Sequence, residues 1–317
     1  MAINIIRYRG PGDNGAWGVV VNGAIAPLAN AYATTAELIA KGEADWRTAA
    51  AGAATLRLDQ VTPLSPITAP CRIICQGANY RQHMIESGLN PDEKTFNIFF
   101  QKSDASINGP VDPVQIPDHV KLLDYEVELG LVFKRAIRGP VTLTPDTLPD
   151  YVIGAVIGND LSARDVQLPE GQWFKGKSYR GFCPLGPYLS IFEPSDFAYL
   201  DALTLTLLVN GQVRQMDETR NLVFKPIESI NELSTFSDID PGDVLLTGTP
   251  SGCALHAPSP GMRRVLQFLM PESKLWKLFV STQSKRPQYL KPGDVVTAMI
   301  ASADRVIDLG QQETRIV

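Results

Sequence analysis

The 317-residue chain has only three histidines and four cysteines. Cys71, Cys75, Cys183 and Cys253 show none of the paired C-x2-C spacings of a zinc site, and four thiols in so long a chain make no disulfide scaffold. They read as small buried hydrophobic residues. Positive charge is short as well: 29 Lys and Arg against 34 Asp and Glu leave a formal net charge of −5. A surface of that sign does not neutralise phosphates, so composition argues against a nucleic-acid partner. No apolar run approaches the roughly 18 residues that suggest a membrane span. The opening MAINIIRYRG lacks the basic start and apolar run of a secretory signal. The expectation is a cytoplasmic protein with neither a membrane nor a nucleic acid as partner.

What the chain has instead is short β-branched runs set between Gly/Pro turns. Residues 3–8 and 17–28 read as strands, and an Ala-rich helical stretch follows at 34–51. VTPLSPITAP at 61–70 carries three prolines in ten residues and cannot join a helix, which puts a domain boundary there. The expected division is a small N-terminal domain, 1–65, and a larger domain, 66–317. In the larger part LTLTLLVNGQVRQ is an alternating strand, an Asn-Gly turn and a return strand. Six or seven such strands with few long helices predict a β-rich α+β fold.

LDYEVELGLVF, residues 123–133, is the most informative segment. Strand alternation puts Tyr125, Val127, Leu129, Leu131 and Phe133 on one face and Glu126 and Glu128 on the other. Neighbouring carboxylates repel unless a cation or a proton lies between them; the competing reading is an edge strand whose polar face meets water. YVIGAVIGND is an apolar run ending in Asp160, followed by Arg164. Three carboxylates, Glu126, Glu128 and Asp160, would supply half the oxygen shell of a hard ion such as Mg2+.

His83 stands three residues before Glu86, the spacing that puts both on one helical face. Such a pair makes a general base near neutral pH, though a surface helix can carry both residues without any task. His119 reads as a loop residue, and His256 could face a pocket mouth. WFKGKSYRGFCPLGP holds two lysines in an aromatic, Gly- and Pro-rich setting. Either Lys175 or Lys177 could hold a developing oxyanion or enolate.

In this order the segments GANYRQHMIE, NIFFQKSDASINGP, YEVELGLVF, GNDLSARDVQ, FKGKSYRGFCPLGP and PGDVLLTGTPSG resemble the motifs of the fumarylacetoacetate hydrolase family. The likeness runs through residues 70–256 and returns at PGDV, 292–295. It implies a mixed β-sandwich roll with a small N-terminal α/β domain, in a homodimer that binds Mg2+ or Mn2+. Carried over, Glu126, Glu128 and Asp160 become metal ligands. His83 and Glu86 become a water-activating dyad on a segment that orders over substrate, and Lys177 rather than Lys175 becomes the catalytic lysine. Lys102, Arg164, Gln167 and Thr249 match positions that contact substrate oxygens. The implied activity is hydrolysis of a carbon–carbon bond in a small 1,3-diketo acid of acylpyruvate type. Decarboxylation of a 2-keto acid, or enol–keto isomerisation, is the alternative at the same metal. The chain departs from compact members at residues 257–291, where Val265, Leu266, Phe268 and Leu269 suggest one amphipathic helix. Leu275, Trp276, Leu278 and Phe279 suggest a second after Pro271. The two either pack on their own domain or wall the pocket or the dimer interface.

Overall fold

The computed structural model describes residues 2–10, 15–93, 96–256 and 271–317. Strand β1 (Ile3–Arg9) opens the chain. The run expected as one strand at 17–28 is two, β2 (Ala16–Val21) and β3 (Ala24–Pro27). Asn22 and Gly23 between them both take positive φ, which closes a tight hairpin. The expected helix at 34–51 is likewise two. Helix α1 (Thr35–Lys41) begins at Thr34, whose hydroxyl accepts from the Glu37 N–H at 3.1 Å, and Gly42 separates it from α2 (Glu43–Ala51). Strands β4 (Leu56–Arg57) and β5 (Thr62–Leu64) complete the N-terminal segment. That segment is hydrogen-bonded to the rest: Ile3–Ile6 of β1 pair antiparallel with Tyr188–Ile191, far along the chain.

Strands β6 (Ile73–Gly77) and β7 (Ile98–Lys102) flank the short helix α3 (Arg81–Glu86). Two-residue strands β8 (Ile107–Asn108) and β9 (Leu123–Asp124) lead to β10 (Val127–Phe133) and β11 (Val152–Asn159). Then come β12 (Ser162–Ala163), helices α4 (Arg164–Glu170) and α5 (Trp173–Lys177), β13 (Cys183–Pro184) and β14 (Tyr188–Ile191). The Asn-Gly hairpin forms as expected, β15 (Leu203–Val209) and β16 (Gln212–Glu218). Helix α6 (Pro226–Leu233), β17 (Val244–Leu246), α7 (Glu272–Gln283), β18 (Val295–Ser302) and β19 (Asp308–Arg315) follow.

Eleven strands join in one mixed sheet, ordered β4-β3-β2-β1-β14-β11-β10-β17-β6-β7 with β5 also on β1; four make a second, β16-β15-β18-β19. The main core fills the space between the two sheets, with Leu129, Leu131 and Phe133 of β10 facing Leu203, Leu205 and Leu207 of β15 and Ile300 of β18. A second core lies on the other face of the large sheet, where Leu38 of α1 and Trp46 of α2 cover Val132, Val156, Val244 and Leu246. Strand β10 therefore has no wet face. Its odd-numbered residues feed one core and Val132 the other, each buried aliphatic side chain worth about 1.5–3 kcal/mol. Among the described residues no helix is long and apolar enough to cross a membrane.

Candidate active site

Glu126 and Glu128 stand at the start of β10, on the even-numbered face. Strand β11 runs antiparallel beside it with Val127 opposite Asn159, so its end delivers Asp160 to the same spot. The Asp160 N–H closes the pair by donating to the Glu126 carbonyl at 2.8 Å. One carboxylate oxygen from each of Glu126, Glu128 and Asp160 lies within 4.8 Å of the others. Their exposures are 5%, 1% and 0%, and β10 is flanked by β11 and β17, which rules out the reading of a solvated edge strand.

Three buried cations surround these acids. Lys177, at the end of α5, bridges them, its Nζ 2.6 Å from both Glu126 Oε2 and Asp160 Oδ2. Its ammonium also stands 5.1 Å from the centroid of the Phe100 ring. Lys102, at the end of β7, donates to Asp160 Oδ1 at 2.5 Å and to the Leu161 carbonyl at 3.2 Å. Arg164, at the start of α4, donates to Glu126 Oε1, to Asp124 Oδ2 at 2.9 Å and to Gln167 Oε1 at 2.8 Å. Lys175 does not come here; it is exposed and pairs with Glu170 at 2.6 Å. Thr249 is buried beside the strand, but its hydroxyl donates to the Val127 carbonyl at 3.0 Å.

These neighbours set the charges. Burial works against the Glu126 carboxylate, yet Arg164 and Lys177 outweigh it and hold the group at about 2. Glu128 goes the other way: burial, then the like charges of Asp160 and Glu126, push it well above the usual carboxylate range. Burial opposes the Lys177 ammonium, but Asp160 and Glu126 raise its pKa overall, so it stays protonated. With every group counted as ionised, Asp124, Glu126, Glu128 and Asp160 exceed Lys102, Arg164 and Lys177 by one negative charge, and Glu128 is the acid left without a cation of its own. An all-oxygen donor set with surplus negative charge and no imidazole or thiolate in it fits a hard divalent cation.

His83 lies half-buried on α3. Burial lowers its pKa, Glu126 opposes that, and Arg164 adds to it, so the imidazole sits within electrostatic reach of the carboxylate centre. Glu86 is exposed one turn along, and among the described residues no hydrogen bond joins it to His83.

Three residues of the site had no readable signal. Asp124 is fully buried and orients Arg164, while its oxygens accept from the N–H groups of Tyr125, Ala254 and Leu255. Gln215 of β16 accepts from the Val127 N–H, between the two glutamates, at 3.0 Å and donates to Thr249 Oγ1 and the Pro250 carbonyl. It thus clamps the strand of the two glutamates to the TGTP loop. Asn79 ties the entry of α3 to the Thr247 carbonyl at 2.9 Å and to Phe224 on both of its atoms. Of the inserted segment, 257–270 lies outside the described residues, including the helix expected at 265–269. The second expected helix is α7; its Phe279 and Val280 pack on the main core.

The model of the fumarylacetoacetate hydrolase C-terminal domain matches residues 72–317. The chain belongs to the fumarylacetoacetate hydrolase family. A mitochondrial oxaloacetate tautomerase of Rattus norvegicus is 37% identical over 206 residues, covering 63% of this chain and 62% of the rat protein. The aligned part thus spans less than two thirds of that relative's length. A fumarylacetoacetate hydrolase from Exiguobacterium antarcticum superposes over 99% of both chains with a TM-score of 0.72 at 27% identity. A maleylpyruvate hydrolase from Sphingobium sp. SYK-6, in complex with manganese(II) and pyruvate, shares the fold with a TM-score of 0.71 over 99% of this chain and 98% of that one, at 24% identity. Family membership accounts for the sandwich of two sheets.

Proposed function

We propose that this family member is a divalent-metal-dependent hydrolase that cleaves a carbon–carbon bond in a small 1,3-diketo acid of acylpyruvate type. The observation that carries the reading is the buried acid triad bridged by Lys177. Glu126, Glu128 and Asp160 would hold Mg2+ or Mn2+, which supplies Lewis-acid polarisation of ketonic oxygens. The maleylpyruvate hydrolase neighbour, which shares the fold, was solved with manganese and pyruvate.

His83, kept neutral by burial, takes a proton from water, whose oxygen adds to the carbonyl carbon. Lys177 donates to the oxyanion that forms. When the adduct collapses, the carbon–carbon bond breaks, its electron pair leaves as an enolate, and the proton on His83 passes to the departing carbon. Arg164 and Gln167 orient substrate oxygens, and Lys102 holds Asp160 in place.

One observation favours a second reading, enol–keto isomerisation or decarboxylation of a 2-keto acid. Among the described residues no hydrogen bond joins Glu86 to His83, and proton transfer without water does not call on that pair. Moving a proton between oxygen and carbon needs no water, and the rat relative is named a tautomerase.

The test is turnover of acylpyruvates and of oxaloacetate with the metal removed and restored, followed by NMR in 18O-labelled water. Solvent oxygen in a carboxylate product supports hydrolysis; carbon dioxide or tautomer without it supports the second reading. In either case Glu128→Ala should lose metal binding and turnover together. Full activity in that variant would remove the site assignment.

A further inference from the structure

Lys177 holds two of the three acids that the centre would offer to a divalent ion. Its Nζ stands 2.6 Å from Glu126 Oε2 and 2.6 Å from Asp160 Oδ2. The second oxygen of each acid is engaged as well, Glu126 Oε1 by Arg164 and Asp160 Oδ1 by Lys102. Glu128 differs: its Oε2 accepts from the Gly248 N–H at 2.8 Å, and among the described residues no cation pairs with it. An ion can therefore approach Glu128 without displacing a positive charge, but not Glu126 or Asp160.

Of the three cations, Lys177 is the one that an ion meets most directly. One oxygen from each acid lies within 4.8 Å of the others, and Lys177 bridges two of these acids. Lys102 and Arg164 each reach only one of the three. An ion bonded at about 2.1 Å to either oxygen that Lys177 holds stands no more than about 4.7 Å from the ammonium. The Lys177 side chain is 2% exposed, so little water separates the two charges and screens their repulsion.

The ammonium has another place to rest. The Phe100 ring lies beneath it, with the centroid 5.1 Å from Nζ, and the face of an aromatic ring attracts a cation. Its protons matter too. An ammonium has three N–H donors, and two of them are committed to Glu126 and Asp160.

We infer that Lys177 and the divalent ion compete for Glu126 and Asp160. The lysine sets how tightly the centre holds its ion, and the ion, by taking those oxygens, frees the ammonium to donate to the substrate. The inference rests on reading the three acids as ligands of the ion, and it adds an order of events, the ion before the oxyanion.

The experiment is calorimetric titration of the full chain with Mn2+, as wild type, Lys177→Met and Lys102→Met. Lys177→Met should bind Mn2+ about 10- to 100-fold more tightly than wild type, the worth of a charge-assisted hydrogen bond, and lose turnover of acylpyruvates at the same time. A variant that had merely lost its structure would lose both. Lys102→Met also removes one buried positive charge, but from a single acid, and should tighten binding less. Unchanged or weaker affinity in Lys177→Met, or equal tightening in the two variants, overturns the competition and leaves the reading of the acids standing. Binding to neither wild type nor Lys177→Met removes that reading, and the inference with it. If Lys177→Met does not fold, a crystal structure of wild type with Mn2+ decides. Lys177 Nζ moved beyond about 3.5 Å from Glu126 Oε2 or Asp160 Oδ2 upholds the competition; both hydrogen bonds kept beside the bound ion overturn it.

Discussion

Glu126 and Glu128 are two residues apart and both buried, yet their pKa values shift in opposite directions. The difference lies in what touches them: Glu126 has Arg164 and Lys177, whereas Glu128 has the Gly248 N–H at 2.8 Å. A site that keeps one acid charged and another short of countercharge is arranged to accept a cation. His83 gives a prediction at this scale. Its folded-state pKa lies below the ordinary 6.5 because burial disfavours the imidazolium. The stability gained by keeping it neutral is present above pH 6.5 and declines as pH falls below that value towards the folded one. As the proton acceptor it should therefore produce an acid limb in kcat/KM with its midpoint below 6.5, absent from His83→Asn; a limb unchanged in that variant would assign the base elsewhere. Strand alternation made Glu126 and Glu128 legible in the sequence, and the end of an apolar run did so for Asp160, because both signals are local. Asp124 and Gln215 were not legible, since Gln215 meets Val127 across 88 positions of chain and its role exists only once the two sheets close.

Elements were legible where turn chemistry announced them. Asn210–Gly211 marked the β15–β16 hairpin, whereas the same dipeptide at Asn22–Gly23 went unread inside an apolar run. Pairings between distant strands left no trace, and the join of β11 to β14 is one of them. Gly154 lies opposite Ile191 there, and a Cβ on it would stand 1.8 Å from the Ser190 carbonyl oxygen. Backbone cannot yield as a side-chain tip can, so Gly154→Ala must push the two strands apart. The expected cost is at least about 3 kcal/mol, the upper range for overpacking, read from the midpoint of urea unfolding. A change within about 0.5 kcal/mol, the size of an ordinary surface substitution, would show that the strands part freely at this point.

At the scale of the molecule the question is whether the first 64 residues respond to what happens at the acid centre. The proline-rich stretch at 61–70 suggested a boundary, and proline does interrupt the chain there. Yet Ile5, Trp17, Val19, Leu38 and Trp46 share one core with Cys75, Val132, Val156, Val244 and Leu246, and β1 is hydrogen-bonded to β14. Strand β10 carries both Val132 of that core and Glu128 of the site, so binding at the carboxylates and burial of Trp17 stabilise the same strand. A ligand that binds only the folded state at 100 times its Kd adds about 2.7 kcal/mol. In a variant with Trp173 and Trp276 replaced by Phe, fluorescence reports on Trp17 and Trp46 alone. Adding Mg2+ or Mn2+ should raise the melting temperature seen by those two tryptophans by the same amount as that seen by circular dichroism. EDTA should reverse both together. A tryptophan transition that ignores the metal while the other moves would mean that the N-terminal strands melt as a separate unit, and that their shared core does not couple them to the site.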